Sequence, residues 1–402
     1  MSAMIDRLRA FLKRPPQTRS CPASGGFLEL HALAAPDWPA SSPRAYATEG
    51  FAGNPIGYRC VSMIARAVAA LPWRLHEGDE ELRDHPLLDL LRRPNPVHSG
   101  SELVEALIAH LHISGNGWLK VSLSDGLPAE LHVLRPEHVR VITDDDGWPV
   151  AWEYTASTRP LRLVREPGDP LPPLMHMRLF SPLSDTAGLS PFAACARAVD
   201  IHNAAAGWSK ALLDNAARPS GALVYRGEGP GLAPEQFERL RKELSEAYSG
   251  ALNAGRPMVL EGGLEWTPLS HAPRDMEHIE LRHAAAREIA LAFGVPPMLL
   301  GIPGDNTYSN YSEANRAFWH QTVLPLASRL AEAMTNWLSP AYETPLRLSH
   351  DADAIDALRG EREALWKRLN EASFMTTNEK RAAVGLPPLE EDGMTSGNVA
   401  VR

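Results

Sequence analysis

The stretch Ile289–Trp319, IALAFGVPPMLLGIPGDNTYSNYSEANRAFW, decides how this chain is read. A helix-forming run stops at Gly294 and the Pro296-Pro297 pair, which break helices. A short apolar turn follows, then the polar segment GDNTYSNYS from Gly304 to Ser312, then a second long helix. Hydroxyls and amides stand at nearly every position of that segment, and Asp305 is its one charge. Such a loop between two strong helices is poor core material. It makes a good surface for light, repeated contact with something polar.

Outward from the loop, the pattern is helical on both sides. The following helix is predicted from about Ser312 to Leu338, with Trp319, Val323, Leu326, Leu330, Met334 and Trp337 recurring every three or four residues. Pro325 is expected to kink it. The preceding helix is predicted from about Asp275 to Phe293, with Met276, Ile279, Ala286, Ile289 and Phe293 on one face. Ser190-Pro191 opens an Ala-rich helix to about Ala217, whose small side chains permit close helix approach; a plain core helix is the simpler reading. Between these two helices lies a small α/β module: a strand (GALVY), a charged helix from Pro234 to Tyr248, and two short strands joined at Gly262-Gly263.

The first half mixes helices and strands. Residues 13–50 are rich in Pro, Ser and Ala and read as a mobile arm. Order is expected from Asn54-Pro55, a helix cap and first-turn proline, followed by the apolar stripe Tyr58, Val61, Ile64, Ala65 and Val68. Ser99 and Glu102 form a capping box ahead of Leu103, Leu107 and Leu111. From Trp118 to Tyr154, and again from Met175 to Phe180, apolar and polar residues alternate as in strands, with a turn at Asp145-Asp146-Gly147. The C-terminal part holds an amphipathic helix (Ala354 to Asn370) and a short TTNEKRAAVGLPPL unit. The fold class is α+β, in several modules.

Composition narrows the function. The 402 residues are 44% hydrophobic and 22% charged, enough for a real core. A net charge of -9 rules out a chain that clamps DNA electrostatically as a whole, so any nucleic-acid contact must be local. Cys21, Cys60 and Cys195 lie far apart without CxxC spacing, against a zinc site or disulfide framework. The start, MSAMIDRLRAFLKR, lacks the apolar centre of a signal peptide, and no run of about 18 apolar residues predicts a membrane span. A soluble, cytosolic chain is expected.

Catalytic patterns are missing as well. There is no GxxxxGK[ST] phosphate cradle and no GxSxG, and Ser190 in AGLSPF lacks the second glycine of a nucleophile elbow. His271, His278 and His283, with Asp275 and Glu277, are the densest metal-type cluster. His278 and His283 are five residues apart and diverge by about 140° on a helix, so they read as exposed positions rather than ligands. Asp144-Asp145-Asp146-Gly147 lacks the alternating ligands of a calcium loop and reads as a hairpin turn. No enzyme, metal or cofactor is expected; a metal-dependent hydrolase using the His-rich segment is the disfavoured alternative.

A succession of segments carries a family resemblance: NPIGYRCVSMIARAVAALPW, HPLLDLLRRPNP, GNGWLKV, ELHVLRPEHVRV, MHMRL, AGLSPFAACARAVD, ARPSGAL, RPMVLEGGLEWTPLS, FGVPPMLLG, TYSNYSEANRAFW and TTNEKRAAVGLPPLE. In this order, over roughly residues 50 to 390, they resemble the portal proteins of tailed bacteriophages, in the short siphophage-like branch. The modest length also suits a prophage or a phage-like gene transfer agent. The resemblance implies a non-enzymatic homo-oligomer, usually a dodecamer, at one capsid vertex. Double-stranded DNA would pass through its tunnel in packaging and ejection, and it would dock the large terminase, a head-tail adaptor and the major capsid protein, without a membrane. It would sit in a virion or phage-like particle assembled in the host bacterial cytoplasm. A head-tail connector ring without a packaging role is the alternative.

The family architecture implies further expectations. A mobile arm would occupy 1–50 and a wing 51–188, rejoined by 294–340. Stem helices would occupy 189–217 and 273–293, flanking a clip at 218–272. A crown and tail would occupy 341–402. The tunnel loop would be 301–311, with Asn306, Thr307, Tyr308, Ser309, Asn310 and Tyr311 facing DNA and Arg316 as either a phosphate brake or a surface charge. In the clip, Glu235, Glu238, Arg239, Arg241, Lys242, Glu243 and Glu246 would form a docking face for terminase or adaptor.

Overall fold

Asn54 begins the first long helix, α1 (Pro55–Ala69), by the mechanism its residue type predicts. Its Oδ1 accepts from the amides of Ile56 and Gly57, both at 3.0 Å, and Pro55 fills the first turn. The computed structural model describes residues 42–156, 159–166, 168, 171–214, 221–225, 264–268, 278–304, 308–384 and 389, together with Glu235, Glu238, Arg239 and Lys242.

Helical structure starts earlier than the sequence predicted. Pro43–Ala45 is helical and Tyr46–Ala52 continues in π-helical turns, where a mobile arm to residue 50 was expected. Tyr46 is buried and stacks on Phe192, ring centroids 6.5 Å apart. Gly57 permits the close approach, since a Cβ there would stand 2.2 Å from the Gly50 carbonyl oxygen. One buried aromatic pair thus fixes a segment whose composition reads as loose. Residues 1–41 of the expected arm lie outside the described residues.

Next come β1 (Trp73–Glu77), β2 (Glu80–Leu82), α2 (Pro86–Arg92) and α3 (Gly100–Ser114). The Ser99–Glu102 capping box forms as read: the Ser99 amide donates to Glu102 Oε2 at 2.7 Å and Ser99 Oγ accepts from the Glu102 amide. Leu103, Leu107, Ile108 and Leu111 then bury against Cys60, Val61, Ile64 and Val68 of α1. Tyr58 departs from the expected apolar stripe. It is 47% exposed and leans on Phe51, ring centroids 5.0 Å apart.

The predicted strands form β3 (Asn116–Ser124), β4 (Leu127–Leu134), β5 (Val139–Thr143), β6 (Pro149–Tyr154), β7 (Leu161–Val164) and β8 (Leu174–Arg178). They make two antiparallel sheets, ordered β4-β3-β8 and β5-β6-β7. Trp118 and Trp152, with Leu134 and Leu174, close a small core of their own. The acidic triplet is a turn: Asp144 Oδ1 accepts from the amides of Asp146 and Trp148, and Gly147 takes φ +86°.

After them run α4 (Pro191–Asp214), β9 (Gly221–Tyr225), β10 (Leu264–Pro268), α5 (His278–Ala292), α6 (Tyr308–Phe318), α7 (Leu324–Leu338), β11 (Leu346–His350), α8 (Arg359–Glu371) and α9 (Thr377–Ala383). β11 returns to pair with β1, placing Leu348 opposite Leu75, so the chain's start and its late part share one sheet. Ile279 differs from expectation: it is 70% exposed, whereas Ala286, Ile289 and Phe293 of the same reading are buried. The long helix predicted from Ser312 to Leu338 is interrupted by a π-helical turn, Trp319–Val323, just ahead of Pro325. Proline lacks the amide to bond back to Gln321 and crowds that carbonyl, and the wide turn absorbs the conflict.

Two motifs 72 residues apart, counted from Asn116 to Gly188, meet at the joint between α3 and β3. Gly115 takes φ +81°, and a Cβ on it would stand 2.4 Å from the Gly188 carbonyl oxygen; a Cβ on Gly188 would stand 2.0 Å from the Gly115 oxygen. Asn116 Oδ1 accepts from the Gly188 amide at 2.8 Å and from His176 Nε2 at 2.9 Å. Ser190 Oγ donates toward the His112 and Ile113 carbonyls, at 3.0 and 2.8 Å. Gly115→Ala combines a strained φ with a backbone clash and is expected to cost about 2 kcal/mol or more, read by chemical denaturation.

His176 supplies a second test. Burial, with Arg178 nearby, pushes it down to about 3. In the unfolded chain it titrates near about 6.5, so the unfolded state takes up a proton that the native state refuses. Its neutral form is at no disadvantage above about pH 6.5, and stability is expected to fall as pH drops from there toward about 3. His176→Gln is expected to flatten that part of the stability profile, measured by thermal unfolding at several pH values.

Candidate nucleic-acid interface

The polar segment that follows Gly301 has a fixed base. Gly294 closes α5 at φ +65°, and the Val295 amide turns back to the Ala290 carbonyl at 2.9 Å. Val295, Leu299 and Ile302 then bury, so the apolar turn is a plug, with Pro297–Leu300 in a 3-10 turn and Gly301 ending it at φ +73°. Two polar ties hold the ends. Arg287 donates to the Pro303 carbonyl, and Thr322 Oγ1 donates to the Gly294 carbonyl at 2.6 Å. Pro303 and Gly304 are exposed, and α6 packs on the core through half-buried Ala314 and buried Phe318.

A cleft lies beside this base, lined by Ile56, His202, Ser209, Arg282, His283 and Gly301, among others. His202, one of its lining residues, belongs to a polar cluster. Asn54 Nδ2 donates to Asn203 Oδ1 at 2.8 Å and faces His202 Nδ1 at 3.2 Å. Burial, then the Arg282 charge, holds His202 below its ordinary value, which favours the neutral ring. The cap of α1, the middle of α4 and the face of α5 therefore meet at one point.

At the far end of the loop, α6 carries Arg316 and the π-helical turn carries His320. Arg316 pairs with Glu313 and, at 3.2 Å, with Glu361 of α8; His320 Nε2 reaches the other Glu361 oxygen at 2.9 Å. A guanidinium flanked by two carboxylates offers little net charge to a phosphate. In the inserted module, β9 and β10 pair antiparallel, Gly221 opposite Pro268 and Tyr225 opposite Leu264. Glu235, Glu238, Arg239 and Lys242 are helical and exposed, at spacings that share one helix face.

The Phage portal protein family matches residues 55–385 of this sequence. The chain belongs to the phage portal protein family. It is 26% identical to the portal protein of Enterobacteria phage HK97 over 358 residues, 86% of this chain and 80% of that one. It is also similar to a chain in the neck of an empty gene transfer agent particle computed with C6 symmetry: 50% identity, 88% of this chain and 96% of that one, TM-score 0.71. In the neck of the native particle, computed with C12 symmetry, the likeness is 50% identity, 87% and 95% coverage, TM-score 0.67.

In this portal-family chain the expected loop is shorter than read. The helix begins at Tyr308, not Ser312, so Tyr308, Ser309, Asn310 and Tyr311 belong to its first turns. Their weak helix propensity is overridden by docking of the same helix through buried Phe318 and half-buried Ala314. Asn310 is exposed and Tyr311 is 49% exposed. Asn306 and Thr307 lie outside the described residues, as do Arg241, Glu243 and Glu246 of the expected docking face. So do residues 215–217 and 275–277 at the expected ends of the two long helices, as well as His271. Among the described residues, no group of three or more His, Cys, Asp or Glu is placed to hold a metal ion.

Sequence reading missed Arg287, Thr322 and Glu361. Gly294 and the prolines signalled where the helix stops, but no local pattern marks a tie between residues 16 or 28 apart in the chain. Arg287→Ala is expected to speed amide exchange over Gly301–Gly304 while leaving the global melting temperature within a few degrees, as measured by hydrogen exchange and calorimetry.

Proposed function

We propose that the chain forms a ring of twelve copies at one vertex of a phage-like capsid and is the conduit through which double-stranded DNA enters and leaves. The observation that carries this reading is the family match over residues 55–385, joined to 50% identity with a chain in a gene transfer agent neck computed with C12 symmetry. The particle is then of the gene transfer agent kind. The ring is structural, not enzymatic; a separate large terminase drives the DNA, and a head-tail adaptor and the major capsid protein are its other neighbours.

In this reading residues 51–188 and 294–340 form the wing, 189–217 and 273–293 the stem, 218–272 the clip, and 341–402 the crown and tail. The segment from Gly301 to Tyr311 is the tunnel loop. Its chemistry suits passage: it holds no Lys or Arg, and its amides and hydroxyls offer exchangeable hydrogen bonds. Cationic rings would bind phosphates by releasing counterions and hold the duplex in place. The net charge of -9 per chain, multiplied around a ring, keeps the duplex off the walls. The helix face with Glu235, Glu238, Arg239 and Lys242 is the docking surface of the clip.

The test separates ring from loop. Light scattering and single-particle imaging of the purified protein are expected to give rings with a central hole and a mass of about twelve chains, and a chain that stays monomeric beside its capsid partners would overturn the reading. Asn306→Gly with Thr307→Gly, both ahead of α6 in the chain, is expected to keep ring assembly and lower the yield of DNA-filled particles severalfold. Normal filling would remove the loop from the mechanism.

A further inference from the structure

The C-terminal helices α8 and α9 enclose a groove that the tunnel reading does not use. Trp366, Leu369 and Val384 line it with apolar surface, and Lys367, Lys380 and Arg381 line it with charge; among the described residues no acidic one lines it. Trp366 is half exposed, with the Arg362 guanidinium 5.2 Å over its ring. Lys380 Nζ reaches the Asn370 carbonyl at 3.4 Å, which ties the two helices across the groove.

Local charge runs against the rest of the chain. Residues 359–384 hold six Lys or Arg and four Asp or Glu, within a chain of net charge -9. Two of those four carboxylates are engaged, Glu361 with Arg316 and His320 and Glu379 in capping α9 by accepting from the Thr376 amide at 2.7 Å, and one of the six cations, Arg359, is paired with Asp356 at 2.7 Å. The groove is therefore a cationic, aromatic-floored channel on an anionic molecule. Its chemistry is opposite to that of the tunnel loop.

We propose that this groove binds the phosphate backbone of double-stranded DNA, as a holding site separate from the loop. Charge complementarity selects a polyanion, and a duplex presents closely spaced phosphates to three cations gathered on one face. Trp366 and the aliphatic stems of Lys367 and Lys380 supply apolar surface for the sugars between phosphates. Contacts of this kind carry no sequence preference. The proposal rests on the portal reading only for DNA being the polyanion at hand.

The test uses the full-length protein, a fluorescent duplex of mixed sequence, and light scattering on every sample. The triple variant Lys367→Ala, Lys380→Ala, Arg381→Ala is expected to weaken binding at least tenfold. It is also expected to lower the slope of log affinity against log salt by up to about 2.7. Glu371→Gln, beside the groove at the end of α8, is expected to tighten binding about twofold, a gain that misfolding cannot produce. Triple-variant affinity within about twofold of the parent overturns the proposal, and so does a polyglutamate that competes as well as the duplex, which would assign the groove to an acidic protein. Rings that form and bind no duplex sink this inference and leave the portal reading standing; duplex binding by a chain that stays monomeric beside its capsid partners does the reverse.

Discussion

Much of the fold hangs on two glycines set back to back. Gly115 and Gly188 approach so closely that each one's missing Cβ is occupied by the other's carbonyl oxygen. The contact brings the end of α3, the start of β3, the end of β8 and the entry to α4 to one place, and Asn116 and Ser190 secure it with hydrogen bonds to backbone. A side chain at either position would push the sheet away from the helices. The central strand, the buried face of α3 and the direction in which α4 leaves all follow from that approach. Phe192, fully buried two residues past Ser190, then receives the lead-in helix through Tyr46.

A second junction lies where Asn54 joins α1 to α4. The same amide that caps one helix reaches Asn203 and His202 on another, and Arg282 of α5 approaches the far side of the imidazole at 3.4 Å. The two long helices flanking the inserted module are thus referenced to the same point as the plug of Val295, Leu299 and Ile302. A portal ring is a conduit, and a conduit needs a loop whose tip is free of grip and whose base is fixed. The base meets that need through buried side chains and two ties to carbonyls.

Local chemistry was legible in the sequence wherever it was self-contained. The Asn54 and Ser99 caps, the Asp144–Gly147 turn, the strands from Trp118 to Tyr154 and the stop at Gly294 depend on neighbours within a few residues, and each formed as read. What failed depended on distant partners. Tyr46 and its segment read as loose because their stabilising contact is Phe192, far along the chain. Tyr58 and Ile279 occupy apolar positions by spacing yet face outward, since periodicity gives a face and not its partner. The start of α6 was misjudged because burial of Phe318 outweighs the weak propensity of the Tyr-Ser-Asn-Tyr run. The sequence leaves Arg316 between two roles; its charge is shared with Glu313, three positions away, and with Glu361, 45 positions away.

The wide turn Trp319–Val323 has a mechanical meaning. An α-helix is a stiff rod because every carbonyl in it is bonded along the axis; here Pro325 removes one such bond, and the turn before it is over-wide. Bending therefore costs least at one known place. The segment α6, which ends the loop, and α7, whose Leu330, Met334 and Trp337 are locked in the core, are two rods joined by a compliant coupling. Thr322, inside that coupling, holds the other end of the loop through Gly294. A sideways load on the loop would meet its softest point at this single turn, which buried Val323 anchors in the core.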